Sequence, residues 1–271
     1  LDRYNIPYET LHMEHDVNFG GKMPDPKPKY LTALVDRVNS DSDCIGLAND
    51  GDADRFGVID ENGYFVPPDV VITILLKYLV KKGYNGSVVK TVGSSILINE
   101  TAKKLGINVI ETAVGFKHVG EAMRKNKAVI GGEESGGLSI GSHIPEKDGI
   151  LANLLMLEAV AYSGKSVVEL RAEINKIVDA KFINKRFDLK LTEKEKEKAL
   201  NIFLNNPPAS FNGKQVIDTC KKDGVKFYLD GGNDWILIRF SGTEPLLRIY
   251  FESLDSDFIE KAYSEIKTLI L

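Results

Sequence analysis

The chain has 271 residues, 43% of them apolar and 27% charged, with a formal net charge of −4. That length allows about two domains of roughly 100 to 150 residues, and the charge balance leaves no basic excess to hold a nucleic-acid backbone, so a small molecule is the expected partner. The longest apolar stretch, Ile150 to Tyr162, is broken by Asn153 and Glu158 and is short of the ~20 residues a membrane span needs, so it reads as a buried helix.

From the N-terminus, Phe19-Gly20-Gly21 and Met23 to Pro28 are too rich in Gly and Pro for regular structure. The apolar spacing of Tyr30 to Val38 predicts a helix. Cys44 to Ala48 reads as a strand, Asn49 to Arg55 as an acidic loop and Phe56 to Ile59 as a second strand, with a turn at Glu61-Asn62-Gly63. Pro67-Pro68 leads into a helix over Asp69 to Lys82, and a domain boundary is placed near Tyr64. Strands and helices then alternate: Ser87 to Val92, Ser95 to Leu105, Asn108 to Glu111, Phe116 to Lys125, Ala128 to Ile130 and Asp148 to Tyr162. That alternation predicts an α/β layer on a mainly parallel or mixed sheet. Beyond Ser163-Gly164 the pattern changes. Helices are predicted over Val167 to Ile177 and Thr192 to Leu204, strands over Lys226 to Leu229, Trp235 to Phe240 and Leu247 to Glu252, and a closing amphipathic helix over Asp257 to Leu269. Separate blocks of helix and strand indicate an α+β domain. The run Glu193 to Lys198 alternates in sign as a solvated helix face does. Cys44 and Cys220 stand in no metal or redox spacing, which fits a reducing cytoplasm. The chain opens on Leu1 with no leader-like segment and is read as a fragment.

Three loops carry chemistry. Asp50-Gly51-Asp52-Ala53-Asp54-Arg55 places three carboxylates at alternate positions. Their mutual repulsion calls for a cation, and all-oxygen ligation suits Mg²⁺ or Ca²⁺. Asp50, Asp52, Asp54 and Glu61 match an EF-hand at its first, third, fifth and twelfth positions, but Arg55 replaces the glycine of the sixth and a strand precedes the loop, so Mg²⁺ is preferred. Gly131 to Gly137 holds Glu133, Glu134 and Ser135, suited to accepting hydrogen bonds from sugar hydroxyls. Arg239-Phe240-Ser241-Gly242-Thr243-Glu244-Pro245, with Arg248 beyond, offers guanidinium, hydroxyl and backbone donors to a phosphate. Gly115-Phe116-Lys117-His118 puts a cation beside a helix start. His12, His15 and His143 have no local ligand partner.

In this order the three loops resemble those of the α-D-phosphohexomutase superfamily, which includes phosphoglucomutase and phosphomannomutase, and the resemblance covers essentially the whole chain. It implies four domains around a cleft, the first three α/β and the last α+β and TATA-binding-protein-like. This chain would hold the C-terminal part of the second (1–64), the third (65–172) and the fourth (173–271). The resemblance implies that Asp50, Asp52 and Asp54 bind Mg²⁺, that Arg55 lies beside the reacting phosphate and that Lys117 assists near the transferred group. By the same resemblance Glu133 and Ser135 bind sugar hydroxyls, while Arg239, Ser241, Gly242, Thr243 and Arg248 hold the other phosphate. The implied reaction moves phosphate between the 1- and 6-positions of a hexose by way of a phosphoserine, with glucose 1,6-bisphosphate as intermediate and activator. The superfamily's serine lies in a Ser-His-Asn-Pro loop that does not occur here; Ser142-His143 is followed by Ile144-Pro145. Turnover would therefore need N-terminal domains of the same enzyme, the chain alone being inactive. A non-catalytic phosphosugar-binding protein or fragment is the alternative, and a calcium-binding structural module a third reading. Glu134, where phosphoglucosamine mutases usually carry Gln, points to glucose phosphate with mannose phosphate next, and Gly137 stands where many members carry His.

Overall fold

The computed structural model describes residues 1–41, 43–231, 233–241 and 246–271. Residues 1 to 31 form three short 3-10 turns and otherwise irregular chain, as the Gly and Pro content requires. Helix α1 (Thr32–Asn39) follows, then an antiparallel sheet of β1 (Gly46–Asn49), β2 (Phe56–Ile59) and β3 (Phe65–Val66). The expected boundary near Tyr64 falls inside the β2–β3 hairpin, where the Asp60 amide donates to the Tyr64 carbonyl at 2.9 Å.

The middle of the chain runs α2 (Pro68–Lys81), β4 (Val88–Thr91), α3 (Ile96–Leu105), β5 (Val109–Thr112), α4 (Phe116–Asn126), β6 (Ile130–Gly132), β7 (Leu138–Ile140), α5 (Gly149–Ser163) and α6 (Val167–Val178). Its sheet has the order β5-β4-β6-β7. The first three are parallel, and β7 turns back antiparallel on β6, so the sheet is mixed. Helix α2 is buried nearly all round and forms the centre of a core shared with Phe56, Val58 and Val66 of the first sheet. One core therefore locks the first sheet to the middle layer. The expected boundary between 172 and 173 lies within α6, which starts at a Ser166–Glu169 capping box and carries Leu170 and Ile174 into that core.

The last third is β8 (Ile183–Lys190), α7 (Glu193–Leu200) with a π-helical turn over Asn201–Asn205, β9 (Ser210–Phe211), β10 (Lys214–Cys220), β11 (Val225–Leu229), β12 (Trp235–Phe240), β13 (Leu246–Ser253) and α8 (Ser256–Ile270). Its sheet is antiparallel throughout, in the order β8-β13-β12-β11-β10-β9. Strand alternation sends Phe227, Ile236, Ile238, Ile249 and Phe251 against α7 and α8. The opposite face points Trp235, Leu237 and Tyr250 at Val92 of the middle layer. This second face is also charged. Lys226, 2% exposed, donates from Nζ to the Val92 carbonyl at 2.9 Å and lies 4.1 Å from the Trp235 ring centroid. Glu252 accepts from Trp235 Nε1 at 2.6 Å and from the Ile96 amide at the start of α3 at 2.8 Å. Buried charges keep their solvation only through such partners, so the two layers meet in one register.

Candidate active site

The acidic loop is the turn between β1 and β2. Ala53 adopts φ 59°, Asp50 Oδ1 accepts from the Arg55 amide at 2.9 Å, and Asn49 Nδ2 donates to the Arg55 carbonyl at 2.9 Å. These bonds fold the loop so that one carboxylate oxygen from each of Asp50, Asp52 and Asp54 lies within 4.8 Å of the others. Oxygens around Mg²⁺, at bonds of about 2.1 Å, are about 3 to 4 Å apart, so small side-chain rotations would bring the three into one coordination sphere. Burial, and then the charges of Asp54 and Asp52, raise the Asp50 pKa, against the Arg55 amide bond and the Arg55 charge. A bound divalent cation would relieve that repulsion, so the residues fit the ion. Arg55 Nε is buried without a hydrogen-bond partner, 3.7 Å from Asp50 Oδ2 and 3.9 Å from Asp54 Oδ1. Glu61, the twelfth position of an EF-hand register, accepts from the Val167 and Val168 amides at 2.8 and 3.2 Å. It caps α6, which leaves the calcium-loop reading without its bidentate ligand.

The glycine-rich loop links β6 to β7. The Gly136 carbonyl accepts from the Phe56 amide at 3.1 Å, and Arg55 and Gly137 form an antiparallel bridge. The acidic loop and the glycine-rich loop, far apart in sequence, are thus stitched edge to edge. Glu133 is 6% exposed and accepts from the Gly115 amide at 2.8 Å, while Ser135 Oγ donates to it at 3.3 Å. Burial, and then the charge of Glu134, push its pKa up, with the Gly115 bond opposing. Lys117 is exposed in the first turn of α4, just beyond that amide.

Arg239 and Arg248 are directly paired on neighbouring strands β12 and β13, on the face turned toward the middle layer. Arg239 Nε donates to Asp223 Oδ2 at 2.8 Å, and the same oxygen accepts from the Val114 amide at 3.0 Å. The Ser241 amide donates to the Leu246 carbonyl at 2.9 Å, closing the base of the loop. Gly242 and Thr243 lie outside the described residues. Beside Arg248 in register stands Asp188 of β8, which binds Arg186 through two bonds of 2.8 and 2.7 Å.

Sequence reasoning missed Asp223, Arg186 and Lys147. Lys147 Nζ forms an ion pair with Asp54. The alternation of Arg186 and Asp188 within a half-apolar strand was a readable signal; Asp223 and Lys147 had none. His143, without a partner in sequence, meets Asp148 at 3.0 Å. No helix among the described residues is long and apolar enough to cross a membrane.

Models of phosphoglucomutase/phosphomannomutase domains match in three consecutive pieces: alpha/beta/alpha domain II over residues 1–63, alpha/beta/alpha domain III over 67–177 and the C-terminal domain over 188–267. A phosphoglucosamine mutase of Methanocaldococcus jannaschii is 35% identical over 266 residues, covering 95% of the chain and 57% of that protein. One from Acetivibrio thermocellus is 37% identical over 228 residues, 83% of the chain and 46% of the relative. The chain spans about half the length of the curated relatives it matches. A solved structure of a Thermus thermophilus protein assigned as a phosphomannomutase superposes with a TM-score of 0.77 at 32% identity, covering 93% of the chain and 52% of that structure.

Proposed function

Since the chain belongs to the phosphoglucomutase/phosphomannomutase family, we propose that it supplies the metal, sugar and phosphate sites of a mutase that moves phosphate between the 1- and 6-positions of a hexose phosphate. The observation that carries this reading is the bridge between Arg55 and Gly137, which joins the acidic loop to the sugar loop. Asp50, Asp52 and Asp54 would hold Mg²⁺, which when bound neutralises charge on a transferring phosphoryl group. Arg55 supplies a guanidinium beside that group and Lys117 a second cation. Glu133 and Ser135 accept and donate hydrogen bonds at the sugar hydroxyls. Arg239, Ser241 and Arg248 grip the distal phosphate, so the sugar turns over while this grip is re-formed on its other end, by way of a hexose 1,6-bisphosphate. The phosphoserine of the reaction is assigned to a part of the whole protein other than these residues.

For the sugar we propose a hexosamine phosphate in place of the glucose phosphate expected from Glu134. The two relatives named above are phosphoglucosamine mutases. Glu134 Oε2 accepts from Thr91 Oγ1 at 2.7 Å, so this carboxylate also ties the loop to the middle layer, and its identity alone does not fix the sugar.

Calorimetric titration with glucosamine 6-phosphate and glucose 6-phosphate in Mg²⁺ tests both parts. Expected is a preference for the amino sugar of about tenfold, since an ammonium must be matched by buried acceptors, with binding weakened at least about tenfold in Arg239→Ala and in Asp52→Asn. Preference for glucose 6-phosphate would overturn the sugar assignment alone. Binding of neither, or binding indifferent to both substitutions, would overturn the site assignment.

A further inference from the structure

Lys147 precedes Asp148, the N-cap of α5, and reaches across the sugar loop to the acidic loop. Its Nζ pairs with Asp54 Oδ2, both side chains being largely covered, at 21% and 27% exposure. The path is open only because residue 137 is glycine. A Cβ there would lie 2.7 Å from Lys147 Cδ, 2.9 Å from its Cγ and 3.2 Å from Glu133 Oε2. The lysine stem therefore runs beside the buried Glu133 carboxylate on its way to Asp54, and its charge offsets part of the cost of ionising Glu133. Arg55 is the more distant cation, its Nε 3.9 Å from Asp54 Oδ1.

We propose that Lys147 is a resident counter-cation shared by the two loops: it neutralises Asp54 while no metal is bound, and is displaced toward Glu133 and the bound sugar phosphate when Mg²⁺ takes the three aspartates. The proposal rests on the metal and sugar reading given above. A divalent ion and the lysine ammonium cannot both sit against Asp54 without strong repulsion. The ammonium, on four freely rotating methylene bonds, is the one that can move, and Glu133 is the carboxylate next along its stem. Lys147 thus competes with the metal and then serves the ligand, so its removal affects the two in opposite directions. A lysine that only braced the loop would, on removal, weaken both.

The test is titration of the chain with Mg²⁺ alone, followed by glucosamine 6-phosphate at saturating Mg²⁺, in the wild type, Lys147→Met and Lys147→Arg. Expected is Mg²⁺ affinity about two- to fivefold higher in Lys147→Met, the size of one partly exposed ion pair, with sugar-phosphate affinity about tenfold lower, the size of one charged hydrogen bond. Lys147→Arg keeps the competing cation and should restore Mg²⁺ affinity to near the wild-type value. Gly137→Ala, which drives the stem off its path, should raise Mg²⁺ affinity as Lys147→Met does. Unchanged or weaker Mg²⁺ binding in Lys147→Met would overturn the proposal while leaving the metal site itself standing. Wild-type chain that binds no Asp52-dependent Mg²⁺ would overturn the metal reading, and this proposal with it.

Discussion

Asp223 holds Arg239 and the Val114 amide on one oxygen: Oδ2 accepts from Arg239 Nε at 2.8 Å and from Val114 N at 3.0 Å. The next amide along, Gly115 N, donates to Glu133 Oε1 at 2.8 Å. The arginine proposed to grip phosphate and the glutamate proposed to read the sugar are therefore tied to consecutive amides of one loop. That loop also launches α4, with Lys117 in its first turn.

Asp223→Ala should accordingly weaken sugar-phosphate binding through Arg239. A charged hydrogen bond of about 1.5 kcal/mol corresponds to about a tenfold loss of affinity. Because Asp223 acts through Arg239, the double variant Asp223→Ala, Arg239→Ala should bind no more weakly than Arg239→Ala alone. Calorimetric titration of the four proteins checks this, and additive losses would show that Asp223 acts elsewhere.

The three loops stood out because each is contiguous: alternating carboxylates, a glycine-rich run and an Arg-x-Ser sequence each fall within a few residues. Helix α7, expected over Thr192 to Leu204, starts at Glu193 with Thr192 as its N-cap in a capping box with Glu195, and passes at Asn201 into a π-helical turn. Strand β8 was not predicted, although Phe187 and Leu189 alternate with Arg186, Asp188 and Lys190 along it, because these charged residues and Lys185 outnumber the apolar Ile183, Phe187 and Leu189. Strand β7, only three residues long, lies in a glycine-rich stretch that reads as loop. The pairings of Asp223 with Val114, Lys147 with Asp54 and Lys226 with Val92 join residues from different layers. Such contacts follow from how sheets stack, which local pattern does not encode.

The buried Asp69 at the start of α2 makes stability depend on pH. Burial pushes its carboxyl pKa up to about 7, with the charges of Glu134 and Glu252 adding and the Ser95 amide, at 2.9 Å, opposing. A carboxyl whose pKa is higher folded than unfolded keeps its proton in the native state while the unfolded chain has lost it. Stability from this group is therefore full below about pH 4 and declines as pH rises to about 7. Asp69→Asn removes the decline. Urea unfolding of both proteins at pH 5 and pH 7.5 should show the variant gaining on the wild type by of order 1 to 3 kcal/mol at the higher pH. A difference between the proteins that does not change with pH would rule the effect out.

The acidic loop is positioned by α5 as much as by its own strands. The Gly149 amide donates to the Ala53 carbonyl at 3.0 Å, and Asn153 Nδ2 donates to the Ala48 carbonyl at 3.0 Å. A Cβ on Gly149 would stand 2.2 Å from the Arg55 carbonyl oxygen and 2.5 Å from Asn49 Nδ2, so backbone has to move. Gly149→Ala should therefore push the helix off the loop, costing about 1 to 3 kcal/mol of stability as overpacking does. It should also weaken Mg²⁺ binding, because Asp52 and Asp54 flank the displaced Ala53. Ile150→Ala, one residue on and 55% exposed, alters the same helix turn away from the contact and should change stability by less than about 0.5 kcal/mol. Thermal unfolding with and without Mg²⁺ separates the two effects: a Gly149→Ala protein that is destabilised yet keeps the full Mg²⁺-induced rise in Tm would mean that the loop holds its carboxylates without help from α5.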